Sequence, residues 1–345
     1  MTRRVLVLAV AGFLTVLLAT VAVLLPVPYV ALQPGPTTNT LGKVGTTELI
    51  RIDGHRTYPD RGHLDLVTVS VLGGPRQRLD LVTALRGWLD DSIAVVPETT
   101  VYPEGETAEE AEKQSAAEMS DSQENATTAA LRELGIPVTS RTVVTGLPKG
   151  SPSAGKLQKG DIIVSVDGKP VAGSASLRDA INTRKPGDDV TVVVDRDGKE
   201  ETTTVTTAEV EGRTVIGVEI QDEADYPFSV EISLQDVGGP SAGLMFALGI
   251  VDKLTPGSLT NGRFIAGTGT IDDAGRVGAI GGIAQKMIGA RRKGATVFLS
   301  PAANCAQAKE AVPDGLRLVK VHTLSDAVEA LEDLKAGRAD QVPTC

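Results

Sequence analysis

Ser241 stands in a setting typical of a catalytic nucleophile. The stretch QDVGGPSAGLMFALGI (235–250) places it between Gly239 and Gly243, which fits the G-x-S-x-G pattern of a nucleophile elbow, and an apolar run follows. A serine hydroxyl becomes a good nucleophile when a neighbouring base takes its proton, and that base is most often a histidine. The chain has three histidines. The first question is whether one of them serves Ser241.

The histidines fit Ser241 poorly. His55 and His63 have the chain order of a trypsin-like triad, but an acidic helical stretch and a β-rich module fill the interval where that fold needs a double β-barrel. His322 with Asp314 has the chain order of an α/β-hydrolase, but no large parallel sheet is visible before Ser241, and 104 residues follow it. The base is therefore expected to be a different kind of side chain.

A lysine can be that base when it is buried, because loss of water disfavours the ammonium form and lowers the pKa of the amine. The segment GGIAQKMIGARRKGA (281–295) predicts a helix that begins after its glycine pair and carries Lys286 on the same face as Ile283 and Ala290. That face is apolar and should point inward. Lys286 is the predicted general base for Ser241.

The stretches GGPSAGLMFALGIVDKL and IAGTGTIDDAGRVGAIGGIAQKMIGARRKGATVFLSP together resemble the proteolytic domain of Lon proteases. In that family a G-P-S-A-G serine pairs with the lysine of a later G-G-x-x-x-K helix, and here Lys286 follows Ser241 by 45 residues. The resemblance covers residues 238–311. It implies that Ser241 is the nucleophile, Lys286 the general base and Thr268 a hydroxyl that orients the lysine amine.

Two positions depart from the Lon pattern. Lon proteins commonly carry an acidic residue before the G-P-S sequence and another after T-G, where this chain has Gly238 and Thr270. The ATPase module of Lon has no counterpart in the sequence. Residues 150–156 copy the G-x-x-x-x-G-K part of a P-loop, but Leu157 replaces the magnesium-binding hydroxyl. The sequence therefore predicts a reaction without ATP or another cofactor.

Residues from about 138 to 207 have a different texture, with short β-rich runs separated by turns. The Asp-Gly pairs in VDGKPV and DRDGKE predict hairpins. The series GSPSAGKLQKGDIIVSVDGKPV resembles the PDZ domains attached to bacterial proteases. This resemblance implies a groove that binds the apolar tail of a protein or peptide substrate by strand addition.

The N-terminus predicts a membrane anchor. Arg3 and Arg4 precede an uncharged run from residue 5 to residue 25, which is long enough to cross about 30 Å of hydrocarbon as a helix. A cleaved signal peptide is the alternative, but its apolar core would be shorter, and no A-x-A site follows. The expected location is the cell membrane, crossed once, with the N-terminus cytoplasmic and the catalytic part outside.

The predicted function is that of a membrane-tethered, ATP-independent serine endopeptidase. Lys286 would take the proton of Ser241 as the hydroxyl attacks a peptide carbonyl, and water would then release the acyl group. The oxyanion needs backbone donors, and because Pro240 has no N–H, the candidates are the N–H groups of Ser241 and of a glycine such as Gly239. Two alternatives stay open: a tight turn in which Ser241 merely caps a buried helix, and a catalytically inactive PDZ adaptor with a Lon-like scaffold.

Cys305 and Cys345 are the only cysteines of the chain. An even count outside the cytoplasm is typical of a disulfide, which would hold the C-terminal tail. Two free thiols are the alternative.

The predicted architecture is α+β, with an N-terminal transmembrane helix, a PDZ-like β-rich module and a Lon-type α/β proteolytic domain. The expected parts are a stub and anchor (1–32), a segment with an acidic helical connector (33–127), the PDZ-like domain (128–210) and the proteolytic domain (211–345). The stretch ALQPGPTTNTLG after the anchor predicts a linker, and the acidic stretch 104–125 predicts a solvated helix or a loosely held connector. Because few strands precede Ser241 in the last part, strand 62–72 is expected to join the protease sheet, with the PDZ-like module inserted into one discontinuous domain.

The expected partners follow from the charge and from the two resemblances. A net charge of −10 repels phosphate backbones and argues against nucleic acid binding. Protein or peptide substrates are expected partners, together with the membrane. Lon-like domains tend to form rings, so a homo-oligomer is also expected.

Overall fold

The chain divides into two compact units. The computed structural model describes residues 3–24, 26–210, 212–234 and 237–345. One unit joins the chain up to Gly135 with Phe228–Cys345, and the other is Ile136–Pro227. The second unit is thus an insertion between two parts of the first. It ends later than the boundary at 210 expected from the sequence, because a strand at 219–225 completes its sheet.

The helices differ in how much of their surface is apolar, from the wholly buried α5 to the largely acidic α3. Their bounds are α1 Arg3–Leu24, α2 Leu81–Leu89, α3 Ala108–Glu133, α4 Ser174–Asn182, α5 Gly243–Leu254, α6 Ile283–Lys293, α7 Cys305–Lys309 and α8 Leu324–Lys335, with 3-10 turns at Glu98–Thr100 and Ala302–Asn304.

The strands fall into three groups along the chain. Those before the insertion are β1 Pro26–Val27, β2 Tyr29–Asn39, β3 Lys43–Val44, β4 Thr47–Glu48, β5 Ile50–Asp53, β6 His63–Leu72, β7 Leu79–Asp80 and β8 Ala94–Pro97. Those within it are β9 Thr139–Gly146, β10 Ile162–Val166, β11 Lys169–Pro170, β12 Asp189–Arg196, β13 Lys199–Thr206, β14 Ala208–Val210, β15 Arg213–Val215 and β16 Glu219–Asp225. Those after it are β17 Ser229–Ile232, β18 Phe264–Gly267, β19 Thr270–Ile271, β20 Val277–Gly278, β21 Val297–Pro301 and β22 Arg317–Val321.

The first unit is built on a mixed sheet with strand order β22-β21-β18-β6-β2-β8. The strands β22, β21, β18 and β6 run parallel, and β2 and β8 are antiparallel to their neighbours. The strand expected over residues 62–72 is β6, which lies in the middle of this sheet. Its residues Leu64 and Leu66 are fully buried, as expected for a parallel strand covered on both faces.

Helices α5 and α6 carry the apolar surface that packs on this sheet. All residues of α5 are buried, so it is a core helix rather than an amphipathic one. The face of α6 that holds Ile283, Met287 and Ala290 packs with Val67 of β6 and Phe298 of β21. Any polar side chain on that face of α6 is carried into the core.

The acidic connector expected from the sequence is α3. It begins at a capping box in which Thr107 and Glu110 exchange hydrogen bonds, and its first turns are exposed. Its second half is buried, with Met119, Ser122 and Leu131 facing inward. The helix is therefore part of the core of the first unit as well as a solvated surface.

The prediction of a transmembrane anchor within residues 1–32 is wrong. Among the residues that the structure describes, no helix is long and apolar enough to cross a membrane. Residues 1, 2 and 25 lie outside the described residues. The prediction that the chain crosses the cell membrane once is wrong for the same reason.

The segment expected to be a linker after the anchor is the strand β2. It pairs with both β6 and β8, and its register with β6 shifts between Pro34 and Thr37. Proline and glycine in ALQPGPTTNT suggested a loop, but in the structure they form this irregularity within a paired strand.

The inserted unit is a sheet of order β13-β12-β10-β9-β16 with α4 beside it. Its core includes Val144, Ile163, Val192 and Leu177. Asp167 and Asp197 have φ angles of 49° and 53°, which fits the Asp-Gly hairpin turns expected from the sequence.

The C-terminal tail is joined to the first unit by a disulfide. Cys305 at the start of α7 and Cys345 are bonded with an S–S distance of 2.01 Å and Cα atoms 5.2 Å apart. Val342 is buried and the Pro343 carbonyl accepts from the Lys320 N–H, so the tail also packs on β22.

We expect the replacement Cys345→Ser to lower the free energy of unfolding. Closing a loop of this length lowers the conformational entropy of the unfolded chain, which stabilises the folded state by roughly 3–4 kcal/mol. Chemical denaturation of the oxidised protein and of the variant measures the difference. A reductant should destabilise the wild type and leave the variant unchanged, and equal unfolding free energies would refute the prediction.

Candidate active site

The loop that carries Ser241 precedes the N-terminus of α5. Gly239 has a φ of 79°, a backbone conformation that favours glycine. The Ser241 carbonyl accepts from the Gly269 N–H at 2.9 Å and from Thr268 Oγ1 at 3.0 Å. The position of the nucleophile is therefore fixed from its backbone by the turn between β18 and β19.

Lys286 reaches the same place from α6. This helix begins after Gly282, whose φ is 68°, and the Lys286 N–H donates to the Gly282 carbonyl at 3.0 Å. A Cβ atom on Gly282 would lie 2.7 Å from Val69 Cγ1, so glycine allows the helix to start close to β6. The Lys286 residue is 2% exposed and points to the interior, on the face predicted from the sequence.

The side chains of Ser241, Lys286 and Thr268 form a connected group. Lys286 Nζ lies 2.7 Å from Ser241 Oγ and 3.0 Å from Thr268 Oγ1. The Thr268 hydroxyl uses its hydrogen toward the Ser241 carbonyl, so Oγ1 is an acceptor toward the amine. Thr268 is fully buried, and this hydrogen bond holds the Lys286 amine between its hydroxyl and that of Ser241.

The electrostatics of the group favour a neutral amine. Burial lowers the pKa of Lys286 from its usual 10.5 to about 7, and desolvation is the cause of the shift. Near neutral pH a large fraction of the amine is then unprotonated and can accept a proton from Ser241 Oγ. The arrangement can therefore generate a serine nucleophile without a histidine.

A cleft of about 410 Å³ opens in front of the dyad. Its walls are the 67–71 portion of β6, Met119 of α3 and the loop 237–242. Along β6 the strand β18 pairs only as far as Leu66, and within the described residues no strand pairs with that edge beyond this point. The cleft is thus bordered by an open strand edge and by both polar and apolar side chains.

The backbone donors near Ser241 are not equally available. The Gly239 N–H donates to the Ser115 carbonyl of α3 at 3.0 Å. In the described part of the chain the N–H groups of Ser241 and Ala242 have no acceptor, and both residues line the cleft. The N–H groups of Ser241 and Ala242 are therefore the available donors in the described part of the chain, whereas the Gly239 N–H already donates to Ser115.

The histidines lie away from the cleft. His55 stacks on Phe228 with ring centroids 4.6 Å apart, and His63 stacks on Phe264 at 4.4 Å. The His322 N–H donates to Asp326. Within the described residues no cluster of histidine, cysteine or carboxylate side chains could hold a metal ion.

Sequence reasoning missed the contribution of α3 to the site. Ser115 contacts the loop at Gly239, Met119 lines the cleft, and the Ser122 hydroxyl donates to the Pro240 carbonyl at 3.0 Å. These positions follow the i, i+4, i+7 spacing of one helix face. That spacing of small and apolar residues within an acidic segment was the available signal.

Two segments of the chain match known domain families. Residues 233–334 match the Lon protease (S16) C-terminal proteolytic domain, and residues 118–207 match the PDZ domain. These matches confirm the predicted Lon-type and PDZ-like domains. They also support the prediction that the protein is a serine peptidase.

Relatives of the proteolytic domain include Lon protease 1 of Herpetosiphon aurantiacus, 31% identical over 34% of this chain and 14% of that protein. Lon protease 1 of Bacillus subtilis is 35% identical over 26% of this chain and 12% of its own length. The chain thus spans only about an eighth of these relatives.

Among solved structures, the PDZ domain of an SdrC-like protein from Listeria monocytogenes is 26% identical. The similarity covers 23% of this chain and 85% of that one, with a TM-score of 0.22.

Activity should rise with pH through about 7 and level off above it, because only the neutral Lys286 amine accepts the Ser241 proton. The measurement is the pH dependence of kcat/KM. Lys286→Arg should be inactive, since a guanidinium keeps its proton. Lys293→Arg, on the exposed side of the same helix, should behave as the wild type. An active Lys286→Arg enzyme would exclude lysine as the base.

Thr268→Val should lower kcat by about 10- to 100-fold, because the Lys286 amine loses the acceptor that aims it at Ser241. Thr268→Ser keeps a hydroxyl and should lose much less. Steady-state kinetics of the two variants tests this role, and equal losses in both would contradict it.

Proposed function

We propose that the protein is a serine endopeptidase that hydrolyses peptide bonds through a Ser241–Lys286 dyad. The observation that carries this proposal is the buried Lys286 amine 2.7 Å from Ser241 Oγ, with a pKa of about 7. The matched Lon-type domain supports the same reaction class.

In the acylation step, Ser241 Oγ attacks the carbonyl carbon of the scissile bond while its proton passes to neutral Lys286 Nζ. Thr268 Oγ1 accepts a hydrogen bond from the resulting ammonium group. Collapse of the tetrahedral intermediate breaks the C–N bond, and Lys286 gives its proton to the leaving amine. Water then attacks the acyl-enzyme, with Lys286 again as base, and the carboxylic acid leaves.

The oxyanion requires donors that face the attacked carbonyl. We assign this role to the N–H groups of Ser241 and Ala242, which have no acceptor in the described part of the chain. Gly239, expected from the sequence, could take part only if its N–H left the Ser115 carbonyl. The start of α5 beside this loop adds the positive end of a helix dipole.

The substrate main chain would lie along the open edge of β6. An extended peptide can add as a strand to the unpaired N–H and C=O groups of residues 67–71. Val69, Val71 and Met119 contribute apolar side chains to the adjoining cleft, and Thr68 and Ser70 contribute polar ones.

The inserted unit would bind a second part of the substrate. A groove of about 730 Å³ lies between α4 and the segment 214–220, with Leu177, Ile181 and Ile216 among its lining residues. The strand β16 is the edge of its sheet, with β9 as its neighbour. An apolar peptide tail would extend this sheet in the manner of PDZ ligands. The cycle would need neither ATP nor another cofactor.

Degradation of an unfolded model protein such as casein by the full chain tests the proposal. The wild type should cleave it and react with a fluorophosphonate at Ser241, and Ser241→Ala should do neither. Ser300→Ala removes a buried hydroxyl outside the cleft and should retain activity. A folded wild type that neither cleaves nor reacts would refute the proposal and favour a non-catalytic PDZ adaptor.

A further inference from the structure

The loop that carries Ser241, residues 238–243, is here called the nucleophile loop, and contacts outside the dyad also hold it in place. Residues 238–243 pack against α3, and Ser122 of this helix bonds to Pro240, 118 residues away in the chain. The first ten residues of α3 precede the match to the PDZ domain and the others lie within that match, so no part of α3 belongs to the segment matched to the Lon proteolytic domain. The match to the Lon domain therefore contains the loop but not the helix that contacts it, and the contact is visible in the folded structure.

Two hydrogen bonds tie α3 to the loop on either side of the Pro240 ring. The Ser115 carbonyl accepts from the Gly239 N–H at 3.0 Å, and the Ser122 hydroxyl donates to the Pro240 carbonyl at 3.0 Å. The peptide units Gly238–Gly239 and Pro240–Ser241, which flank the Gly239–Pro240 unit, are thus both held by α3.

The glycines of the loop make this approach possible. A Cβ atom on Gly238 would lie 2.0 Å from Ser115 Oγ, and one on Gly243 would lie 2.9 Å from Ser122 Oγ. Side chains at either position would push the loop away from α3. The glycine pattern around Ser241 is therefore explained in part by the contact with this helix.

The Ser122 contact bears directly on Ser241. The Pro240 carbonyl and the Ser241 N–H belong to the same planar peptide unit and point in opposite directions. When the carbonyl is fixed toward α3, the Ser241 N–H must point away from α3. Ser122 is 2% exposed, so water has little access to replace its hydroxyl.

We propose that Ser122 is a positioning residue for the reaction. By holding the Pro240 carbonyl, it sets the plane of the Pro240–Ser241 peptide and so aims the Ser241 N–H at the oxyanion. This inference rests on the proposed peptidase activity. Ser122 does not line the cleft, so it acts through the loop and not on the substrate.

Steady-state kinetics on a fluorogenic peptide tests the role with Ser122→Ala. We expect kcat to fall by about tenfold or more, because one oxyanion donor is misdirected, with KM within about twofold of the wild type. The apparent pKa of kcat should stay at the wild-type value, since Lys286 remains buried. A general loosening of the site would instead admit water and raise that pKa.

Two further variants keep the test decisive. Ser122→Cys is nearly isosteric and retains a weak donor, so its kcat should lie between those of the wild type and Ser122→Ala, even if the alanine variant folds poorly. Thr127→Val removes a buried hydroxyl of the same helix that donates to the Gln123 carbonyl within the helix, and it should leave kcat unchanged.

A folded Ser122→Ala protein with kcat within about twofold of the wild type would overturn the role of Ser122 alone. An equal loss in Thr127→Val, or a raised apparent pKa in Ser122→Ala, would also overturn it, because either result marks a structural effect. An inactive wild type would overturn this inference together with the proposed function, which distinguishes the two failures.

Discussion

The burial of Lys286 beside Ser241 is the constraint on which the site depends. An amine in water holds its proton near neutral pH and cannot act as a base, whereas the buried Lys286 amine has a pKa of about 7. That burial requires α6 to turn this face toward β6, and it requires the glycine start of the helix that lets it approach Val69. The strand β6 and the helix α6 thus pack together so that water is excluded from the Lys286 amine.

The residues of the site come from distant parts of the chain. The strand β6 and the helix α3 precede the inserted unit, whereas the nucleophile loop, Thr268 and Lys286 follow it. The parallel pairing of β6 with β18 and the contact of α3 with the loop join these two parts. The segment matched to the Lon proteolytic domain therefore contains Ser241, Thr268 and Lys286, whereas the 67–71 portion of β6 and Met119 of α3, which also line the cleft, come from outside it.

The sequence predicted what local spacing encodes. The apolar face of α6 predicted that Lys286 points inward, and the glycine motif predicted Ser241 as its partner. In the structure Lys286 Nζ lies 2.7 Å from Ser241 Oγ. The contribution of α3 was missed because its partners are far apart in the chain and its composition is acidic, which suggested only a solvated surface. The strand β2 was read as a linker because proline and glycine usually interrupt strands, yet pairing on both edges accommodates them here.

The departures from the Lon pattern have a physical consequence. At the positions where Lon proteins commonly carry the two acidic residues, this chain has Gly238 and Thr270, and desolvation is the cause of the lowered pKa of Lys286. A carboxylate beside the amine would stabilise the ammonium form and raise that pKa. Because the neutral base depends on exclusion of water, a peptide lying along β6 would dry the cleft further. Substrate binding would then favour the base form of Lys286, which couples occupancy of the cleft to activation of Ser241.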